Sequence, residues 1–389
     1  MKPLIPTPWA YNSPADLRIA DVRTAAELAA HADAWAGLLL QSTAPSPMLS
    51  YPQISAFFET QIPSSETWLC LFAYENARLI GVLPLIAARS FGCLGFSILF
   101  LKTPYDDLHT SGVDCLTLPG REDILERFMD YLSRIPRTWP LIRMREILEN
   151  SPSMVYLSHG GRKVRAIQKL HGCENYIELP EDFGTFHSGL SSNFRRQLKR
   201  GNRKLEELAE VRFHCREATR PLPENIRRFE EVEDAGWKGA ANTSVRAVER
   251  NARFYAIAAE RFRNHGWMEW NFLETGEKTI GAHYGVRLNR TLFLLKIGYD
   301  EAYSACSPGN LLLEKTIEHA CKAGDLDEIN CVADCAWHRS WGMKKRLVYD
   351  LVILPRIPVI SGFLAALLNS ETFRKLTARP SIESPPAIA

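Results

Sequence analysis

No two of the nine cysteines form a C-x-x-C pair. They are scattered at Cys70, Cys93, Cys115, Cys173, Cys215, Cys306, Cys321, Cys331 and Cys335, and no second pair of ligands stands near the last two. That pattern speaks against a disulfide framework and against a zinc site, and it fits a reducing cytoplasm. Net charge is scarce as well. The 47 basic and 45 acidic side chains leave +2, too little for nucleic acid or an anionic membrane to partner the molecule as a whole. Uninterrupted apolar runs are missing: Met1 to Ala10 is too short in apolar residues and too rich in proline for a signal peptide, and Leu347 to Leu368 is broken by Asp350, Arg356 and two prolines. A soluble chain is expected. There is no G-x-S-x-G, no G-K-[ST] and no H-E-x-x-H, so nucleophile-elbow, phosphate-loop and zincin chemistries have no anchor.

What is present is an ordinary globular composition, 46% hydrophobic and 24% charged over 389 residues, enough for two domains of similar size. The punctuation predicts a proline-rich arm over 1–17, a first domain over 18–170 and a second over 171–389. In the first, strand-like runs at Trp68 to Tyr74 and Arg78 to Ala87 form a hairpin. Strands at Ile98 to Leu101 and Val113 to Leu118 follow, with Tyr105-Asp106-Asp107 between them, then Pro119-Gly120, a helix, and a strand at Leu141 to Ile147. In the second, Trp267 to Leu273, Thr279 to Leu288 and Thr291 to Gly298 make a meander that leads to Pro308-Gly309, a helix closed by Gly324, and a strand at Glu328 to Val332. Each half therefore reads as hairpin, strand, P-G, helix, strand, which suggests duplication of one α/β unit.

The turn Ser307-Pro308-Gly309-Asn310 carries chemical interest. Pro308 suits a first helical position, and Gly309 lets backbone amides approach an anion closely; a helix start that binds nothing has the same pattern. Upstream, Ser191 and Ser192 offer N-caps for a helix with Phe194, Leu198, Leu205 and Leu208 on one face. Arg195, Arg196, Lys199, Arg200, Arg203 and Lys204 stand on two adjacent ridges. This basic stripe could hold the phosphates of a cofactor, a nucleotide-sugar, tRNA or a membrane surface, or be a solvated face balanced by Glu206, Glu207 and Glu210. No aromatic residue interrupts it.

Taken together, Gly236-Trp237-Lys238-Gly239 with Thr243, Leu295-Lys296-Ile297-Gly298-Tyr299-Asp300-Glu301 and Ser307-Pro308-Gly309 resemble the BioF2-like (CelD/BcsL-type) acyltransferases of the GNAT superfamily, with more distant likeness to Fem-type transferases. The resemblance extends from about Ala34 to about Arg346. It implies an α/β (α+β) fold of two tandem GNAT-like domains, each a mixed, mostly antiparallel sheet flanked by helices. It also implies transfer of an acyl group from acyl-CoA, acetyl-CoA first among the donors, to the amine of a small molecule, amino sugar or polysaccharide precursor, without a metal. An aminoacyl-tRNA-dependent Fem-type transferase and a catalytically degenerate scaffold in polysaccharide synthesis are the alternatives.

The resemblance assigns the cofactor's pyrophosphate to Ser307, Pro308, Gly309 and Asn310, and an oxyanion donor to the backbone near Lys296, Ile297 and Gly298. Such a reaction positions a thioester beside an amine, polarises the carbonyl and removes a proton. For the base, His283 lies in the middle meander strand among small residues, where alternation could aim it into a cleft at a useful pKa; it could equally be structural. Asp300 is the second candidate, or a loop cap. Tyr299 could donate a proton to the leaving thiolate, as tyrosines do in many GNAT enzymes, or simply pack. Trp237 and Lys238 suit a substrate-facing loop, and Asp334, Trp337, His338 and Arg339 form a polar cluster after the last strand. Trp341 with Lys344, Lys345 and Arg346 follows the family. Asn330-Cys331 departs from it, since relatives carry an acid, often D-S, at that strand end; Asp334 could substitute from four residues on.

Overall fold

The computed structural model describes residues 11–12, 17–91, 97–104, 112–135, 141–159 and 164–355. Most of the expected N-terminal arm, the Tyr105–Asp107 loop and the apolar stretch beyond Pro355 lie outside the described residues. The chain divides into two compact units, residues 1–172 with 347–389, and residues 173–346.

The first unit runs through β1 (Tyr11–Asn12), β2 (Leu17–Val22), α1 (Ala25–Ala29), α2 (Ala32–Gln41), α3 (Tyr51–Thr60), β3 (Thr67–Glu75), β4 (Arg78–Phe91), β5 (Ser97–Lys102), β6 (Leu116–Thr117), α4 (Ile124–Arg134), β7 (Ile142–Leu148) and α5 (Pro152–Ser158). β8 (Val164–Glu178) then leads into the second unit: α6 (Phe183–Gly189), α7 (Ser192–Leu208), β9 (Val211–His214), α8 (Leu222–Asp234), α9 (Trp237–Ala240), α10 (Glu249–Asn264), β10 (Met268–Thr275), β11 (Lys278–Leu288), β12 (Thr291–Tyr299), α11 (Pro308–Ala323) and β13 (Glu328–Asn330). β14 (Lys344–Pro355) begins in the second unit and ends in the first.

Within the first unit, β2 to β5 pair antiparallel in sequence order, and β7 joins β5 in parallel after the α4 crossover. In the second, β9 to β12 are antiparallel neighbours, with β9 against β10, and β13 joins β12 in parallel after the α11 crossover. Residues 176–178 of β8 complete that sheet on β13. Both units are therefore mixed, mostly antiparallel α/β layers with the same strand–helix–parallel strand order. The sequence reading carries 171–389 as one domain; Val348 to Ile353 instead pair with β7 in the first unit. β8 runs unbroken across the expected boundary between residues 170 and 171, and α8 and α10 were not legible as separate elements.

The sheet of the second unit is covered on both faces. Leu198 and Leu205 of α7 and Leu312 and Ile317 of α11 pack with Leu292, Leu294 and Ile329 on one side. On the other, Phe229 of α8 and Tyr255 of α10 close on Trp270 and Tyr284, with ring centroids 5.0 to 5.8 Å from Tyr284. Such aromatic edge contacts add to the burial of large apolar area. Local punctuation fixes the helices that frame the site. The Ser191 hydroxyl caps α7 by accepting the Phe194 amide proton, and Pro308 opens α11. Gly324 closes α11 at φ +65°, its N–H donating to the Ala320 carbonyl.

Candidate active site

β12 is paired with β11 as far as Tyr299, but with β13 only over Thr291 to Phe293. From Leu294 onward its second edge has no strand partner among the described residues. The opposing chain turns away at Val332, a β-branched residue at φ +48°, and the Asn330 Oδ1 accepts the Val332 amide proton at 2.7 Å to hold that turn. The result is an open backbone edge along Lys296, Ile297 and Gly298.

A charged cluster lies against this edge. Gly298 faces α8 so closely that a Cβ there would stand 3.0 Å from the Glu233 Cα. The buried Glu233 carboxylate accepts from the Lys238 Nζ at 2.7 Å and from the Val245 amide at 2.8 Å. Lys238 Nζ also donates to the Ile297 carbonyl at 3.3 Å, tying the G-W-K-G turn to β12. Lys296 is 8% exposed, its Nζ 5.3 Å from the Tyr255 ring centroid, and it has no ion-pair partner among the described residues. Burial holds Lys296 below the usual lysine range. Burial, then the neighbouring Lys296 charge, does the same to Lys238. The Glu233 carboxylate is bonded to Lys238 and acts on Lys296 only through space, so burial outweighs it there and shifts Lys296 towards its neutral amine.

The cradle is adjacent. Ser307 adopts φ +55°, and its amide donates to the Ser304 carbonyl while the Asn310 amide donates to the Ser307 carbonyl. Pro308 has no amide proton. Gly309 keeps an amide without an acceptor among the described residues, at the positive end of a 16-residue helix. The backbone amides of Ser307 to Asn310 were expected to face the cofactor; of these only that of Gly309 is left without an acceptor among the described residues. A Cβ on Gly309 would lie 3.6 Å from the Tyr299 Cδ1, so Tyr299 flanks the cradle. Asn310 points elsewhere: its Oδ1 accepts the Trp341 indole proton at 3.0 Å.

Two sequence-level candidates for the base are corrected by their surroundings. His283 alternates with Gly281, whose would-be Cβ meets the Leu312 Cδ2 at 3.5 Å, so it faces the layer covered by α11 and not the Lys296 side. It is fully buried, neither ring nitrogen has a hydrogen-bond partner, and burial pushes its pKa down to about 3. Asp300 is a cap: Oδ1 accepts from the Ala302 amide at 2.9 Å and Oδ2 pairs with Lys278 at 2.7 Å.

Among the other predicted residues, Trp237 and Trp337 are half-buried, and Trp337 packs edge-on to His338 at 4.2 Å. Asp334 accepts from Asn175 at 2.8 Å and pairs with Lys345 at 3.4 Å, holding the loop after β13 to β8. No group of three or more His, Cys, Asp or Glu is placed to hold a metal ion among the described residues. Nor is any described helix long and apolar enough to cross a membrane.

Residues 192–334, from α7 through the loop after β13, match the acetyltransferase (GNAT) domain family. That stretch lies within the second unit and is similar to GNAT acetyltransferase domains. In fold, the chain is similar to the crystal structure of FemX, with a TM-score of 0.54 at 7% identity over 85% of this chain and 96% of that one. It is also similar to a conserved protein of unknown function from Bacteroides thetaiotaomicron, with a TM-score of 0.52 at 11% identity over 86% and 99%. No protein of curated function matches the chain in sequence.

Three residues of this candidate site escaped sequence reading: Glu233, Tyr255 and Glu174. Glu233 precedes Lys238 by five residues, and an acid at that distance from the G-W-K-G motif was the available signal. Tyr255 and Glu174 reach the site only through the crossing of α10 and the pairing of β8, for which no local pattern exists. Glu174, buried and pushed upward in pKa by that burial, accepts from the Asn330 Nδ2 at 2.9 Å and stands 3.5 Å from Arg346. A carboxylate is therefore present beside Asn330, on the neighbouring strand.

Proposed function

We propose that the chain is an acyl-CoA-dependent N-acyltransferase, with acetyl-CoA as first candidate donor and the amine of a small molecule, amino sugar or polysaccharide precursor as acceptor. The observation that carries this reading is the parting of β12 from β13 directly before a helix start that keeps an unbonded amide. An extended ligand arm needs a free strand edge to hydrogen-bond along, and a diphosphate needs a helix N-terminus without side chains in the way. Both lie within one strand–turn–helix, and the residues present fit the cofactor.

Acyl-CoA, when bound, supplies an activated thioester carbonyl. The rest is done by this chain. The Gly309 amide and the dipole of α11 hold the diphosphate, and the backbone of Lys296 to Gly298 orients the arm and offers an amide to the carbonyl oxygen. Lys296, its pKa lowered by burial against the opposing pull of the Glu233 charge, accepts the proton of the attacking amine at Nζ. Tyr299, whose phenol burial holds above its ordinary pKa, stays protonated at neutral pH and returns a proton to the leaving sulfur. Glu233 fixes Lys238 against β12 and so sets the width of the opening. Trp237, at the start of α9, and Asp334 and Trp337, after β13, are assigned to the acceptor.

Thermal unfolding with coenzyme A, acetyl-CoA and a long-chain acyl-CoA tests the proposal. A ligand at a hundredfold excess over its Kd stabilises the native state by about 2.7 kcal/mol. A shift with one of the acyl-CoA species, followed by thiol release in the presence of amino sugars, is expected. Silence with every CoA species overturns the reading.

A further inference from the structure

A second site lies on the opposite side of the unit's sheet from Lys296. Between α7 and α11 there is a cleft of about 600 Å³ lined by Arg195, Arg196 and Lys199 of α7, by Glu314 and Lys315 of α11, and by His187 of α6. The volume suits a small ligand.

Its charge is one-sided, and the acids that follow the stripe in sequence do not correct this. Glu206 accepts from Asn202 at 2.7 Å, Glu207 pairs with Arg203 at 3.5 Å, and Glu210 pairs with Arg212 at 2.9 Å. Lys204 turns the other way and donates to the Ala305 carbonyl. Arg195, Arg196, Lys199 and Arg200 form no ion pair among the described residues, and the Arg195 Nε is buried without a hydrogen-bond partner. Glu314, the one carboxylate in the lining, is engaged by His187 at 3.2 Å, and Lys315 is paired with Glu318 at 2.7 Å. Like charges at i,i+4, here Arg195 with Lys199 and Arg196 with Arg200, destabilise a helix unless something compensates them. A buried guanidinium nitrogen without an acceptor adds to that cost.

We infer that this cleft binds a small ligand carrying a diphosphate group, at a site separate from the acyl-CoA cradle. Two guanidinium forks and an ammonium group present the planar and point donors that phosphate oxygens accept. None of Ser307, Pro308, Gly309 or Asn310 lines the cleft. A single-stranded nucleic acid would need stacking faces, and the lining has no Phe, Tyr or Trp. A membrane surface would need apolar anchors at the rim, and the cleft is concave. The inference does not depend on acyl transfer: a diphosphate-bearing acceptor and a diphosphate-bearing regulator would recognise the same cations.

Calorimetric titration of the full chain with inorganic pyrophosphate, alone and with saturating coenzyme A, tests it. The intact protein is expected to bind pyrophosphate saturably at one site, with the same affinity when coenzyme A is present. Arg196→Gln combined with Lys199→Gln, both exposed and outside the apolar face of α7, should weaken binding at least about tenfold without lowering the unfolding midpoint, since both like-charge pairs are relieved. Absence of saturable binding, or binding indifferent to the double substitution, overturns the inference. So does displacement of pyrophosphate by coenzyme A, which would make the two sites one. Tighter retention of single-stranded RNA or of phosphatidylglycerol vesicles through the same two residues would replace the small ligand by a macromolecular surface.

Discussion

The Lys238 Nζ stands 2.7 Å from the Glu233 Oε1, while Lys296, buried against the same carboxylate's helix, has no ion-pair partner among the described residues. Glu233 is bonded to one of the two lysines only, and the two differ in what their removal does. Lys238→Met leaves the Glu233 carboxylate buried with only the Val245 amide as donor. Breaking a buried pair from one side costs about 3–5 kcal/mol, and urea denaturation should show a loss of that order together with a wider, less active site.

Lys296→Met has the opposite thermodynamic sign. The folded-state pKa of Lys296 lies below its unfolded value of 10.5, so between the two the unfolded chain holds the extra proton. Native stability therefore rises with pH through that window and is lowest below it. Removing the amine removes the penalty. The variant should be as stable as the parent or more so at pH 7, and the rise towards pH 10 should flatten. Turnover should fall by about 10²- to 10⁴-fold with acyl-CoA affinity unchanged, as expected for loss of a general base.

His283 separates a buried structural imidazole from a catalytic one. Its pKa falls from 6.5 in the unfolded chain to about 3 in the native one, so protons bind preferentially to the unfolded chain as pH drops below 6.5. Stability from this group is complete above pH 6.5 and declines by up to about 1.4 kcal/mol per pH unit towards pH 3. His338, lowered to about 4 mainly by burial, acts in the same direction. His283→Leu should shallow the acid limb of a stability–pH profile and leave kcat at pH 7 close to that of the parent. A collapse of kcat with unchanged stability would return the base role to His283.

Gly309 and Asn310 are neighbours with different duties, and substitution should show it. Gly309→Ala places its Cβ at an ordinary contact distance from Tyr299, so folding should survive; Gly309→Trp should also remain folded but abolish acyl-CoA binding by covering the free amide. Asn310→Ala leaves the buried Trp341 indole N–H without its acceptor and should cost about 1–3 kcal/mol of stability. Its effect on acyl-CoA affinity should be small, because that side chain points away from the cradle.

Where local chemistry decides, the sequence was readable. Ser191, Pro308 and Gly324 mark helix ends by what each residue can or cannot do with its own backbone, and the helices begin and end there. The alternation around His283 likewise gave a correct strand. It could not say which face α11 covers, because that depends on a crossover returning from 25 residues away. Asp300 offered base and cap readings from the same local pattern; Lys278, across a β-turn and a strand, decides for the cap. Lys238 and Lys296 were each visible as motif residues, 58 apart in the chain. That Glu233 bonds Lys238 and only neighbours Lys296 follows from the packing of α8 onto β12, which no short window contains.

The pairing of Asn330 with Glu174 bears on how this chain would be read against its relatives. Where the resemblance to BioF2-like acyltransferases implies an acid at the end of β13, this protein has Asn330 with a carboxylate on the adjacent strand, across the ladder that joins Asn330 to Tyr176. A column-by-column comparison would score that position as a loss. An aligned column records only the residue type at one position, whereas the carboxylate here is placed by the pairing of two strands.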